Sequence, residues 1–513
     1  MYSDQNKHIS AEEKQLARQI ADELGAATIY ENSFHRRDET LFFMLKRDLV
    51  KLLVIVTGRE QMAGLGFRGQ AETAGGAEFF TCGLAHENAE ALRTCFPFTN
   101  PVLIGKKNSY GYGDRLGNAG PAHLRSVKGT GFKPVLAQQS IRELERTGRK
   151  PEDVMDAASW AVFQEGYSDG FGADADHLKT TADIDRMVDA GFTMFTIDPS
   201  EYVFDGSAGL EADILENLFQ DLPWTELEDK PQSLLSRYVK QTISLDGRRL
   251  SPEPRDVQEA MVKYGRVLSH TSMMVRHLAE NHSGHPAEIE LSVDETEQPT
   301  TPFEHFLIAS ELSRLDISLV SLAPRFCGDF EKGVDFRGDL DQFRDEYKMH
   351  LAIAGEFGGY KLSIHSGSDK FSVYEVIGSL DEGAVHVKTA GTSYLEALRT
   401  LARADPQLFR DILTFSMSRF EEDRNTYHIS ARLSDLPDVS ALGENQLIGL
   451  LDNDEARQVL HVAYGSVLSG GYPEAEGFRS RLMEVLSTNE MLYEENLVRH
   501  FEKHLRPFRK LKP

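Results

Sequence analysis

The sequence predicts an α/β protein built on a (β/α)8 TIM-type barrel, and three observations carry that prediction. From about residue 100 to residue 403, short apolar runs alternate with polar, Gly-rich segments and helical patterns. The alternation repeats eight times, which favours a closed barrel over an open sheet. The runs also carry ionisable residues on one face, mostly toward their C-terminal ends.

Taken in order, residues 1–97 read as a small α/β unit: a helical pattern over 11–24, strand-like runs at 27–30, 40–45 and 51–56, and surface loop at 64–76. No chemistry attaches to this unit, and a packing role is expected. The barrel spans 98–403, with strand runs at 102–105, 134–138, 172–176, 193–198, 288–294, 319–323, 361–365 and 385–388. Start signals precede the helices: Pro151-Glu152-Asp153 before 154–164, Thr181-Ala182-Asp183 before 184–189, and Pro302-Phe303-Glu304 at the head of 302–315. Helical patterns at 339–357 and 393–403 follow the sixth and eighth runs. Segment 200–285 is too long for an ordinary connection. With 254–281 strongly helical, it reads as an elaborated fourth crossover able to form a lid. Residues 404–513 read as a mainly helical extension packed outside the barrel.

Composition narrows the partners. The 513 residues hold 56 basic and 81 acidic side chains, 56 − 81 = −25, the wrong sign for a phosphate-neutralising groove. Three scattered cysteines suit a reducing compartment and make neither a disulfide framework nor a cysteine-rich zinc site. Met1 to Lys7 lack the order of a signal peptide, and the greasiest stretch, 41–56, contains Lys46, Arg47, Asp48 and Lys51. A cytoplasmic protein with no nucleic-acid or membrane partner is expected, its state as monomer or homo-oligomer left open.

Strand alternation then separates two faces. Phe195, Ile197, Ile289, Leu291, Val293, Leu362, Ile364, Val385 and Val387 face the helices. Thr196, Asp198, Glu290, Ser292, Asp294, Ser363, His365, His386 and Lys388 face the lumen, and Asp174 and Asp176 share a face. A lumen without a site fills with branched aliphatics. Charges buried there must pair, bind metal or line a wet pocket, so the pattern says enzyme.

His177, His365 and His386 end three different strands, with Asp176, Asp198, Asp294 and Glu295 nearby. Any one of them alone reads as structural; together they predict a divalent cation, Mn, Ni, Zn, Co or Fe. His282 and His285 precede the fifth strand, at the barrel's stability end; they, His270, His277 and His350 are read as structural or surface. Within 292–297, Glu295 is favoured for proton transfer and Asp294 as a ligand. The turn from His365 through Ser366 to Asp369 and Lys370 either holds an anion or polyol or is a plain turn with Asp369 as N-cap. Tyr110 to Gly117 is neither a Walker loop nor a dinucleotide fingerprint. It reads as a loop over the pocket, with Arg115 reaching a substrate carboxylate.

Six segments in chain order, Gly113-Asp114-Arg115-Leu116-Gly117, Ala137-Gln138-Gln139-Ser140-Ile141-Arg142-Glu143, Gly172-Ala173-Asp174-Ala175-Asp176-His177-Leu178-Lys179, Ser292-Val293-Asp294-Glu295-Thr296-Glu297, His365-Ser366-Gly367-Ser368-Asp369-Lys370-Phe371 and Lys388-Thr389-Ala390-Gly391-Thr392-Ser393-Tyr394, resemble the bacterial tagaturonate epimerase family. The resemblance runs from about residue 100 to 430 and is weaker around Asn118 to His123. It implies a metal-dependent epimerase that interconverts D-tagaturonate and D-fructuronate, a small keto-sugar acid being the partner. The inverted carbon is β to the ketone, so its C–H is not acidified, and a cofactor-free route is retro-aldol cleavage followed by re-addition. On that reading His177, His365 and His386 hold the metal, and Asp176 and Glu295 handle protons. Substrate contacts fall to Arg115, Gln139, Asp198, Arg325, Ser366, Asp369 and Lys388, with Lys179 a further carboxylate partner. No nucleotide cofactor is expected. The alternatives are a Schiff-base aldolase using Lys388 and a non-catalytic sugar-acid-binding barrel.

Overall fold

Eight parallel strands close into a barrel in sequential order: β1 (Ser109–Tyr112), β2 (Lys133–Ser140), β3 (Gly172–Leu178), β4 (Met194–Ile197), β5 (Glu288–Val293), β6 (Ser321–Pro324), β7 (Lys361–Ile364) and β8 (Val385–Thr389). The structure is a computed structural model describing residues 9–245, 247–380 and 383–510; residues 1–7, read above for a leader, lie outside these. Parallel register sets the lumen in layers: Thr196 lies beside Glu290, Glu290 beside Ser321, Ser363 beside His386, and His386 beside Ser109.

The first strand is not the apolar run 102–105. It is Ser109–Tyr112, which overlaps the start of the segment Tyr110 to Gly117 read as a loop. Tyr110 and Tyr112 point outward against Phe501, and Tyr112 stacks on His123. Gly111 takes the lumen position, where a Cβ would collide with the Gln138 carboxamide. The run 102–105 instead passes the N-terminal end of the barrel: the Val102 amide donates to Phe171 O at 2.8 Å and the Ile104 amide to Glu288 at 3.2 Å. At Gly113 the chain approaches β8 so closely that a Cβ would lie 2.6 Å from Thr389 O and 2.7 Å from Ala390 Cα. Both are backbone neighbours with little room to move. Gly113→Ala is therefore expected to cost about 1–3 kcal/mol, read as a lowered urea midpoint at unchanged m-value.

Helices form the outer ring, including α1 (Gly120–Val127), α2 (Pro151–Glu165), α3 (Thr181–Asp189), α4 (Pro254–Asn281), α5 (Pro302–Arg314), α6 (Leu340–Glu356), α7 (Phe371–Leu380) and α8 (Thr392–Ala404). Their starts are written locally: Thr180 and Thr301 close capping boxes with Asp183 and Glu304, and the Asp339 side chain accepts from the first turn of α6. The long α4 packs between α3 and α5 as the fourth crossover helix. Of the described residues in segment 200–285, Asp205 alone lines the cavity described below, and most of the insertion forms outer wall.

The C-terminal helices include α9 (Pro406–Asp423), α10 (Asp454–Val462) and α11 (Glu490–Leu505). They pack on the barrel, and Tyr427, His428 and His461 from this region line its mouth. The N-terminal sheet has the order Thr28–Ile29, Thr40–Arg47, Val50–Val56, Ala77–Gly83, Gln70–Ala74, with His35–Arg37 also paired to Thr40–Arg47. Its core packs Phe42, Leu53 and Phe96 against Trp160 and Phe163 of α2. Among the described residues no helix is long and apolar enough to cross a membrane.

Candidate active site

A cavity of about 620 Å³ opens at the C-terminal ends of the strands, where barrel enzymes place their chemistry. Gln138, Asp176, His177, Asp294, His365 and Lys388 line its floor, and Glu295, Arg325, Ser366, Lys332 and Arg142 lie higher on its walls.

Lys388 organises the floor. Its Nζ lies 2.7 Å from Asp174 Oδ2, 2.8 Å from Asp176 Oδ1 and 2.7 Å from Glu290 Oε1. It also donates to Thr196 Oγ1 at 2.6 Å. Burial disfavours the ammonium, but Asp174, Asp176 and Glu290 outweigh burial and hold its pKa well above the ordinary lysine value. In return, burial disfavours the Asp176 carboxylate, and Lys388, His177 and His365 hold it well below the usual range. Asp174, deeper in the lumen, is shifted upward by burial.

Two imidazoles stand beside this cluster, their rings 5.2 Å apart. His365 directs Nε2 to Glu290 at 2.9 Å and Nδ1 to Asp294 at 3.0 Å. His177 lies 3.7 Å from Asp176 and 3.3 Å from Asp198. Burial works against both imidazolium ions, yet Asp176 and Asp198 push His177 up to about 10, and Asp294 and Glu290 push His365 up to about 9. His177 enters the cavity through a bulge. The β3–β4 register shifts at this point, and His177 sits at φ 54°, so it and Asp176 both line the same space.

His386 does not join the other two histidines. It lies two residues before Lys388 on β8, a layer deeper, with Nδ1 2.9 Å from Ser109 Oγ. Burial drives its pKa down to about 3, so this imidazole is neutral. The groups that bring three ligand atoms within 4.8 Å of one another, among the described residues, are Asp185–His277–His282 and Asp369–His500–His504. In the first, both imidazoles sit 2.7 Å from one Asp185 oxygen, tying α4 to α3. In the second, Asp369 is already neutralised by Arg457.

Other expected contacts fall outside the cavity. Arg115 is buried, 2.9 Å from Glu143 and stacked on Tyr464, so it is committed to the protein. Gln139 accepts from Arg149 at 3.1 Å behind the barrel, while its neighbour Gln138 lines the cavity. A register shift between β2 and β3 near Val135 sets that phase. Asp369 is bound by Arg457 and lies 2.8 Å from His500, and Lys179 pairs with Glu201 at 2.9 Å. Asp198 caps Ser200 at 3.0 Å and faces His177. Asp176, Glu295, Arg325, Ser366 and Lys388 are brought together around the cavity.

Comparison with known proteins bears directly on this arrangement. A family model described as tagaturonate epimerase matches residues 30–508. The chain belongs to the tagaturonate epimerase family. It is 43% identical over 477 residues to the tagaturonate/fructuronate epimerase of Thermotoga maritima, covering 93% of this chain and 96% of that one. It superposes on the glycerol-complexed crystal structure of the fructuronate-tagaturonate epimerase UxaE from Cohnella laeviribosi with a TM-score of 0.88 at 37% identity, covering 97% of this chain and 99% of that one. The native crystal structure of the same Cohnella protein gives 0.87 at 37% identity, covering 96% and 99%. In this family member the cavity wall also includes residues that the sequence pattern leaves unmarked: Gln138, Arg142, Lys332, Tyr427, His428 and His461. None of Arg142, Lys332, Tyr427, His428 and His461 lies on a barrel strand, so strand alternation carries no signal for them.

Proposed function

We propose that this chain is an epimerase interconverting D-tagaturonate and D-fructuronate, through retro-aldol cleavage and re-addition at C4 with a divalent cation. The reading rests on the cavity floored by Lys388, its carboxylates and the His177–His365 pair, in a chain that matches the tagaturonate epimerase family over residues 30–508.

The donors suit a first-row divalent cation: imidazoles and carboxylates with no thiolate among them. Buried His177 Nδ1 makes no hydrogen bond among the described residues although it lies 3.3 Å from Asp198. His177, His365 and Asp294 are the residues assigned to hold the ion, with Asp198 beside them. When bound, it supplies Lewis-acid stabilisation to negative charge developing on substrate oxygen.

The residues divide the remaining work. A base takes the C4 hydroxyl proton, and the C3–C4 bond breaks with its electron pair moving into the ketone-bearing fragment. C4 becomes an aldehyde, turns its other face, and is attacked by C3 as the proton returns to oxygen. Asp176, ionised beside Lys388, and Glu295, at the cavity wall, are assigned to this proton traffic. Lys388 holds negative charge on the floor and fixes Asp176. Imine chemistry needs the free amine, whereas Asp174, Asp176 and Glu290 keep Lys388 as the ammonium, which speaks against the aldolase alternative.

The test is NMR of the metal-loaded protein with D-tagaturonate in D2O. Fructuronate should accumulate with no deuterium at C4, and borohydride should trap no adduct. Solvent deuterium at C4 defeats the retro-aldol route, and absence of fructuronate defeats the functional reading.

A further inference from the structure

The base of the cavity is acidic. Asp176 and Asp294 line it beside Lys388, His177 and His365, and Asp174, Asp198 and Glu290 lie behind them in contact with the same cations. Five carboxylates against at most three cations repel a substrate carboxylate. The walls carry acids as well, Asp205, Glu295, Glu297 and Asp329, so a substrate carboxylate needs cations that these acids do not hold. Arg142, Arg325 and Lys332 line the cavity, and none forms an ion pair among the described residues. Unneutralised cations are notable in a chain of net charge −25.

Lys332 is the most fully placed of the three. It lies on the turn after β6, and its Nζ donates to Ser366 Oγ at 2.6 Å. The turn is clamped from the C-terminal region. Arg457 Nε donates to Gly333 O at 2.8 Å, Gln458 Nε2 to Glu331 at 2.7 Å, and buried Lys370 to Glu331 O at 2.6 Å. One turn further along α10, His461 packs against Gly391, so closely that a Cβ there would collide with the ring. His461 lines the cavity and is only 1% exposed, yet neither ring nitrogen has a hydrogen-bond partner among the described residues. A buried polar group left unpaired is costly, and one aimed into a cavity is a group awaiting a ligand.

We infer that Lys332, Ser366 and His461 form the anchor for the carboxylate end of the sugar acid, and that the C-terminal region thereby supplies part of the substrate site. This rests on the functional reading above and deepens it. Lys332 gives the counter-charge, Ser366 accepts from Lys332 and keeps its own O–H to donate, and His461 offers an imidazole N–H. Burial, then nearby Arg115 and Lys332, keep that ring neutral, a donor at one nitrogen and an acceptor at the other. The ketone end is thereby sent to the floor, with C4 between the two zones. These three are positioning residues for recognition, and an uncharged ketose lacks the group they hold.

Calorimetric titration of D-tagaturonate into the metal-loaded protein tests the assignment, with KM and kcat measured alongside. Lys332→Met should weaken binding roughly 10- to 100-fold, as loss of a charge-assisted contact does. His461→Gln should weaken it by a smaller factor, and Lys332→Arg should recover most of the loss. KM should rise more than kcat falls, whereas a merely structural role would lower kcat through lost active enzyme. Binding within about threefold of the parent protein in both Lys332→Met and His461→Gln overturns the anchor. So does equal loss in Lys332→Met and Lys332→Arg, or a loss seen only in Arg325→Met. A parent protein that binds tagaturonate without turning it over removes the functional reading and leaves the anchor. Normal turnover with unaffected variants removes the anchor and leaves the reading.

Discussion

Lys388→Met is expected to be the most damaging single substitution in the barrel. The ammonium lies 2.7–2.8 Å from Asp174, Asp176 and Glu290, all buried. Removing one partner of a buried ion pair costs about 3–5 kcal/mol because the opposite charge stays buried and unpaired. Here three carboxylates lose a shared cation at once; Glu290 keeps His365 at 2.9 Å and Asp176 keeps His177 at 3.7 Å, while Asp174 is left without a cation in contact among the described residues. The variant therefore takes up a proton, first at Asp174, which burial already pushes up and which loses the ammonium that opposed this. The sign follows: the folded variant binds more protons than the unfolded chain, so its stability rises as pH falls toward 5 and is lowest near 8. The parent protein behaves oppositely at Asp176, whose depressed pKa contributes stability that is present above the unfolded value and lost on acidification. Urea unfolding at the two pH values measures this. Activity should fall at least about 1,000-fold, since Asp176 loses the ammonium that fixes it and helps keep it ionised. Lys388→Arg, which keeps the charge, should recover more stability than activity. A Lys388→Met protein as stable as the parent, with no pH trend, sinks the account.

The parts of the fold that were legible are those where burial differs across a strand. In β5, Ile289, Leu291 and Val293 meet helices while Glu290 and Ser292 meet the lumen, and that contrast is written directly in the residues. The same holds for Val385, His386, Val387 and Lys388. In β1 the contrast vanishes. The lumen residue is Gly111, because Gln138 already fills that space, and the outward residues are two tyrosines set among glycines. Such a strand has the composition of a turn. Conversely, Val102 to Gly105 has the composition of a strand but supplies amides to Glu288 at the barrel's closed end. The N-terminal strand Gln70–Ala74 leaves no mark in the sequence for a related reason: it lies at a sheet edge and is mostly exposed or half-exposed, so it carries no apolar period.

Alternation gives the face of a lumen residue but not its depth, and the site turns on depth. His386 and Lys388 share a face, yet only Lys388 reaches the cavity. Bulges add a second difficulty. The register shift near Val135 and the left-handed backbone at His177 each change which neighbours look inward. So Gln138 rather than Gln139 lines the cavity, and His177 joins Asp176 there. The wall residues Lys332 and His461 come from a turn and a peripheral helix, placed by contacts such as Arg457 with Gly333 that are distant in sequence. No local period encodes them.

His365→Ala is expected to have the second-largest effect, and it links the imidazole pair to the cation. Without metal, the surrounding carboxylates hold His177 up to about 10 and His365 up to about 9. At pH 7.5 both rings are therefore imidazolium, and each must lose its proton before ligating. Metal binding should release about two protons per protein at that pH, and about one in His365→Ala. Release should shrink as pH rises through 9 and 10, where the rings deprotonate unaided, so apparent affinity should climb with pH and then level off. Titration with Mn²⁺ or Zn²⁺ in buffers of different ionisation enthalpy counts the protons. Loss of a Lewis acid worth several kcal/mol corresponds to about three decades in kcat at about 1.4 kcal/mol per decade, so His365→Ala and chelated parent protein should fall to similar residual rates. Asp294→Asn separates ligand loss from proton loss: it removes a carboxylate that holds His365 charged, so proton release should drop while a weaker site persists. Metal uptake without proton release at pH 7.5, or a His365→Ala protein with parental metal affinity, would place the cation elsewhere in the molecule.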